Sequence, residues 1–181
     1  MIRRVLAAIL AVAGISAVGA QDRTRPAPVR IANPSAAPDD AAIDVLVGRV
    51  YAAISGPAGP RDWDAFKGLF VPEARLIPVS GTAPTVLDIQ GYIDRAGAAM
   101  AKQGFYESEV ARRVERYGNI AHVFSTYESR HAPIEAPFAR GINSFQLVRT
   151  PAGWRVLHIV WQGETPTAPI PGAYLAKTDK R

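Results

Sequence analysis

The sequence predicts an α+β domain in which helices come first and a run of long antiparallel strands follows. Two observations carry this. Between residues 40 and 102 the apolar side chains recur at three- and four-residue spacing, the period of a helix face. From Phe105 onward the period falls to two, and short turn-rich connectors separate the segments, as between neighbouring antiparallel strands. Three N-terminal helices would then lie in the concave face of a curved, mostly antiparallel sheet with four long C-terminal strands.

The first twenty of the 181 residues stand apart from that domain. Arg3 and Arg4 precede the apolar run Val5 to Val18, and small residues end it before Gln21, the pattern of a secretory signal cleaved after Ala20. The run is shorter than the ~20 residues a membrane-spanning helix needs. A periplasmic or secreted protein with no membrane attachment after cleavage is expected. Residues 21–38, "QDRTRPAPVRIANPSAAP", are rich in Pro and Ala without an apolar period and read as a linker.

In the domain itself, 39–164, Asp39 and Asp40 stand where a helix wants its N-cap acceptor. Ile43, Leu46, Val47, Val50, Tyr51 and Ile54 then form one apolar face, and Gly56 to Pro60 breaks the helix. "DWDAFKGLF" gives a short second helix capped by Asp62, with Trp63, Phe66, Leu69 and Phe70 on its apolar side. Glu73 to Val79 contains Pro78 and reads as a short edge strand, with Val86 to Ile89 pairing back. Gln90 to Lys102 forms the third helix. Strands follow at 105–116, 120–130, 140–149 and 154–162, and residues 165–181 read as a poorly ordered tail.

Composition narrows the function classes. There is no cysteine, which removes disulfides, zinc–thiolate sites and a Cys nucleophile. The net charge of +5 lies outside the domain: the leader, the linker and the tail each carry a net two positive charges, leaving 39–164 at −1. A nucleic-acid partner is not expected from a domain of that charge. His122, His131 and His158 show no metal-ligand spacing, the strand serines sit on no nucleophile elbow, and "GPAGP" has no phosphate-cradling pattern. No metal and no cofactor are expected.

The stretches "DWDAFKGLFVPEARL", "GYI", "GNIAHVFSTYESR" and "RGINSFQLV…GWRVLHIVWQGE" resemble the nuclear transport factor 2-like superfamily, the cystatin-like cone, and within it the functionally unassigned SnoaL-like group. The resemblance covers about residues 40–164. It implies a sheet curled around the helices with a pocket on its concave face. Strand alternation puts Gly141, Asn143, Phe145 and Leu147 on one face, and Trp154, Val156, His158, Val160 and Gln162 on one face of the last strand. Set by shape on a ketosteroid isomerase of that superfamily, Asn143 falls at an inward position where the isomerase carries an acid, and His158 also falls inward. The general base and phenol of the isomerase have no matching motif among Tyr51, Asp62, Asp64 and Glu73, so that reaction is not carried over.

The expected pocket therefore contains Trp63, Phe66, Phe70, Phe105, Asn143, Phe145 and His158. Catalytic candidates are His122, His158 and Glu109, because a His beside a carboxylate is an acid–base pair tuned near neutral pH. Pairing across "YGN" sets Glu115 opposite His122 and Glu109 opposite Glu128. The row Glu107, Glu109, Arg112, Arg113, Glu115, Arg116 can equally be a solvated ladder of ion pairs worth ~0.2–1 kcal/mol each. An outer sheet face bearing Leu157, Ile159 and Trp161 would be a homodimer surface. Three readings stay open: a module binding a small, partly apolar organic molecule, a cofactor-independent lyase or isomerase, and a structural dimer whose cone its own side chains fill.

Overall fold

In the computed structural model, which describes residues 36–175, the sequence periods become three helices and a six-stranded mixed sheet. The leader, most of the linker and residues 176–181 lie outside the described residues. Helix α1 (Ala36–Ile54) is the longest helix, and the six apolar residues of its stripe are each at most 6% exposed. It begins three residues earlier than its expected cap. Asp39 is thus a helical residue and not an N-cap, and Ala36 to Pro38 belong to the helix and not to the linker. Asp39 is buried, and its carboxylate accepts from Arg149 at 2.7 and 2.9 Å and from Trp154 Nε1 at 3.2 Å, with Arg116 at 3.4 Å. The acid ties the start of α1 to three strands, which explains why it sits inside the helix.

After Ile54 the chain turns sharply, and Arg61 holds the turn by donating to the carbonyls of Ile54, Gly56, Pro57 and Gly59. Helix α2 (Trp63–Lys67) is capped by Asp62, whose side chain accepts from the Ala65 amide at 2.9 Å. Helix α3 (Ile89–Met100) is capped in the same way by Asp88.

The strands are β1 (Phe70–Ser80), β2 (Ala83–Pro84), β3 (Tyr106–Tyr117), β4 (Ile120–Arg130), β5 (Ala139–Thr150) and β6 (Gly153–Gly163), in the sheet order β2-β1-β6-β5-β4-β3. Only β1 with β6 is parallel. β1 is longer than the edge strand expected of it and is not at the edge. Pro78 is tolerated because β2, the neighbour beyond it, is only two residues long and pairs with Val79 and Ser80. Strands β3 and β6 both touch α1 although β4 and β5 lie between them, so the sheet wraps around the helix.

Three irregularities in register add to that curl, at Phe70/Arg75, at Glu109/Ala111 and at Gln146/Leu147. The last two are single extra residues, Val110 in β3 and Leu157 in β6. Each reverses which residues of its strand face the helices. In β6, Trp154 and Val156 face inward before the bulge, and Ile159 and Trp161 after it. His158, Val160 and Gln162 are turned to the outer face, against the unbroken alternation expected of them.

The tail also departs from expectation. Residues 165–175 lie across the outer face: Ile170 is buried, and Tyr174 packs on Phe124 at 5.0 Å and under the Arg113 guanidinium at 4.9 Å. Thr126 donates its hydroxyl to the Tyr174 carbonyl at 2.6 Å. Part of the face expected to meet a second copy is therefore covered by the chain itself.

Candidate functional site

The inner faces of β1, β3, β5 and β6, helices α1, α2 and α3 and the mouth loops line a cavity of about 340 Å³ that opens to solvent at its mouth. Its walls are mostly rings and aliphatic carbon, from Phe66, Tyr92, Phe105, Phe138, Phe145 and Trp161 among others. Phe66 is held at the wall by Tyr92, stacked at 5.6 Å, and by Phe70 and Trp63 behind it at 4.7 and 5.6 Å. Trp63 continues to Gly97 of α3, where a Cβ would come within 3.3 Å of the indole. Trp63 and Phe70 therefore support the wall without lining it. At the mouth, His131 stacks on Phe138 with centroids 4.0 Å apart and donates its Nδ1–H to the Gly104 carbonyl at 3.2 Å.

One end of this cavity is polar, and the β3 bulge makes it so. The extra residue at Val110 puts Glu107 and Glu109 on the inner face and then brings Arg112 and Arg116 to that same face. Arg112 thereby meets Glu109, with Nε to Oε2 at 2.7 Å, and reaches Asp44 of α1 at 2.5 Å. The bulge also sets Glu109 opposite Tyr127, not opposite Glu128 as an unbroken register would place it, while Glu115 does stand opposite His122.

Glu107 is clamped through its backbone, which exchanges hydrogen bonds with the Ser55 hydroxyl at 2.9 and 3.1 Å. Its carboxyl accepts from the Ser129 hydroxyl at 2.8 Å and from the Asn143 amide at 3.4 Å. Asn143 also donates to the Tyr51 hydroxyl at 3.1 Å, which in turn shares a hydrogen bond of 2.7 Å with Ser125. Ser125 donates to Glu109 at 2.5 Å, so one network runs from α1 through three strands. By surface area Glu107 is only part-buried, because its free edge lies in the cavity, yet protein surrounds it on nearly every side. That burial raises its carboxyl to about 7, against the lowering effect of Ser129 and Asn143. Burial and then the Glu107 charge push the Tyr127 phenol up to about 12, and push the phenols of Tyr51 and Tyr92 higher still.

Gly141 makes room for one of these phenols. A Cβ there would stand 2.5 Å from the Tyr127 hydroxyl and 2.4 Å from the Gln162 carbonyl.

Of the residues the sequence proposed for the pocket, Phe66, Phe105, Asn143 and Phe145 line the cavity. His158 does not. The bulge at Leu157 turns it to the outer face opposite Gln146, where its Nδ1 is buried without a hydrogen-bond partner. His122 is on the outer face too, with Nε2 3.0 Å from the Ser144 hydroxyl and Nδ1 4.0 Å from Glu115. Glu109 faces inward but is taken up by Arg112 and Ser125. None of the three residues expected to form a His–carboxylate pair in the cone, His122, His158 and Glu109, lines the cavity. Glu107, Tyr51, Tyr92 and His131 stand there instead.

The fold matches solved structures across the domain. A protein with a cystatin-like fold from Novosphingobium aromaticivorans aligns with 74% of this chain and 88% of its own, at a TM-score of 0.59 and 21% identity. One from Nostoc punctiforme aligns with 75% and 97%, at 0.59 and 11% identity. The fold is the nuclear transport factor 2-like cone. A further cone of unknown function, from Shewanella baltica, covers 74% of this chain and 99% of its own, at 0.56 and 16% identity. Identities this low carry the cone and not an activity. No protein-family model and no curated protein matches the chain.

Proposed function

We propose that this chain is a small-molecule binding protein whose ligand is a small, mostly apolar organic molecule seated in the cone, its polar group at Glu107 and Asn143. One observation carries the reading: a cavity of about 340 Å³ whose wall is mainly apolar, with the linked polar group of Glu107, Asn143 and Tyr51 set into it and Gln103 and His131 as its other polar side chains besides Tyr92. At the ~30 Å³ a water takes up in the liquid, that space suits a ligand of roughly ten non-hydrogen atoms. Phe66, Phe105 and Phe145 line the space without filling it, which counts against a cone closed by its own side chains. The leader-like first twenty residues support a site of action outside the cytoplasm. Native mass spectrometry of the protein from its own cells, under gentle and then denaturing conditions, tests the reading. A stoichiometric adduct that Asn143→Ala loses is the expected result, and a bare protein mass in both conditions would count against it.

A lyase or isomerase reading is favoured by one feature, a carboxyl raised to about 7 inside the same space. Glu107 would carry the proton, and the histidines of the outer face would take no part. In that case Glu107→Gln keeps the adduct and loses turnover of it.

A further inference from the structure

Glu107 and Glu109 stand two residues apart on the inner face of β3, and their charges are met differently. Glu109 has Arg112, which Asp44 also holds. Glu107 has only neutral donors, the Ser129 hydroxyl and the Asn143 amide. Every element packed around it presents neutral groups or like charge: Tyr51 from α1, Tyr92 from α3, Tyr127 and Ser129 from β4, Asn143 from β5, and Glu109 on its own strand. Among the described residues no Lys or Arg lines the cavity, and Glu107 is the one acid that does. His131, at the mouth, has its Nδ1–H committed to Gly104.

Removing a carboxylate from water without a counter-charge costs several kcal/mol, and neutral hydrogen bonds offset only part of that. Structures meet this cost by supplying a cation. Here the surrounding elements supply none among the described residues, and the free edge of the carboxyl faces the cavity. Aromatic rings stand among the aliphatic side chains of the remaining wall, and such rings attract a positive charge placed against their faces. The missing partner of Glu107 and the complement of the rings are the same chemical object.

We propose that the ligand is a small organic cation, an amine on an aryl or alkyl body, whose ammonium pairs with Glu107 while its body lies among the cavity rings. This rests on the binding reading above and gives its ligand a class. Asn143 would keep the carboxylate aimed at the ammonium through its bond to Oε1. A neutral ligand such as an alcohol or ketone would leave the carboxylate uncompensated, and an acid would be repelled by it.

The test uses matched pairs that differ only in the polar group: 2-phenylethylamine against 2-phenylethanol, and hexylamine against 1-hexanol. Their affinities for the full chain are measured by calorimetry at pH 8 and pH 5. Each amine is expected to bind at least tenfold more tightly than its alcohol at pH 8. The preference should shrink toward pH 5, where Glu107 is protonated and the amine is still charged. Amine binding near pH 7 should also release a proton, seen as a dependence of the heat on the buffer. Glu107→Gln should bind amine and alcohol alike. An alcohol bound as tightly as its amine by the natural chain overturns the cation proposal and leaves the binding reading standing. Failure of every compound in both pairs overturns the two together.

Discussion

The inner and outer faces of the sheet are built from alternate residues of the same strands, yet they treat their polar groups in different ways. Inside, Tyr51, Ser125, Asn143, Ser129 and Glu107 are joined in one network beside a cavity. Outside, His122, Gln146 and His158 stand in a row across β4, β5 and β6, with a single side-chain hydrogen bond to Ser144, and none of the three lines the inner cavity. The tail lies over part of that face and packs on it through Tyr174. The difference teaches that titratable residue type alone is a poor guide to a site. Histidines look more like chemistry than a serine and an amide do, but here the enclosed space lies behind the serine and the amide.

Substitutions can sharpen this contrast. The largest effect is expected from Gly141→Ala, since the added Cβ meets a backbone carbonyl at 2.4 Å that cannot move aside. A loss of about 3 kcal/mol in chemical denaturation, at the upper end for overpacking, is the expected outcome. Glu107→Gln comes next and acts through pH. The Glu107 carboxyl titrates at about 7 in the fold against 4.5 ordinarily, so the folded state holds its proton more tightly. The stability this contributes is complete below pH 4.5 and is lost as pH rises through 7, a swing of about 3 kcal/mol. Denaturation curves of the Gln variant, set against the natural chain, should therefore show it gaining relative stability by that amount between pH 4.5 and 8.

Smaller effects follow. Asp39→Asn should cost about 2 kcal/mol, because Arg149 and Trp154 lose a charged acceptor at the start of α1 and the buried Arg116 keeps only Asp40. Thermal melting would register it, with ligand binding unchanged. On the outer face, His122→Ala and His158→Leu should each shift stability by no more than about 1 kcal/mol and leave ligand affinity unaltered. His158 already has one ring nitrogen without a partner, so an apolar replacement removes an unmet polar atom. A large loss of ligand affinity from either would undo the division between the faces.

Much of this cone was legible in the sequence. The stripe from Ile43 to Ile54 needed only its spacing, and the four long strands begin and end within a residue or two of their expected bounds. Asn143 was found from alternation within β5, which has no extra residue of its own. What escaped has one physical cause in two places. A single-residue bulge leaves no mark in composition, yet it reverses every side chain beyond it. Leu157 therefore sent His158 outward and Trp161 inward, and Val110 put Arg112 beside Glu109 while leaving Glu107 unmatched. A faint signal did exist in β3: Glu107, Glu109 and Arg112 can share one face only if the strand is bulged between them. The tail was missed for another reason, since Ile170 and Tyr174 are anchored singly and have no period.

The central claim is that Glu107 is an acid held in the wall of the cone cavity without a counter-charge among the described residues. It is tested most directly by following the carboxyl carbon of Glu107 by NMR across pH in the ligand-free protein, with Glu107→Gln to assign the signal. The account predicts a midpoint near 7 that falls when 2-phenylethylamine is added. A midpoint in the ordinary carboxylate range near 4.5, unmoved by the amine, would contradict it and would mean that water or a cation already serves this group.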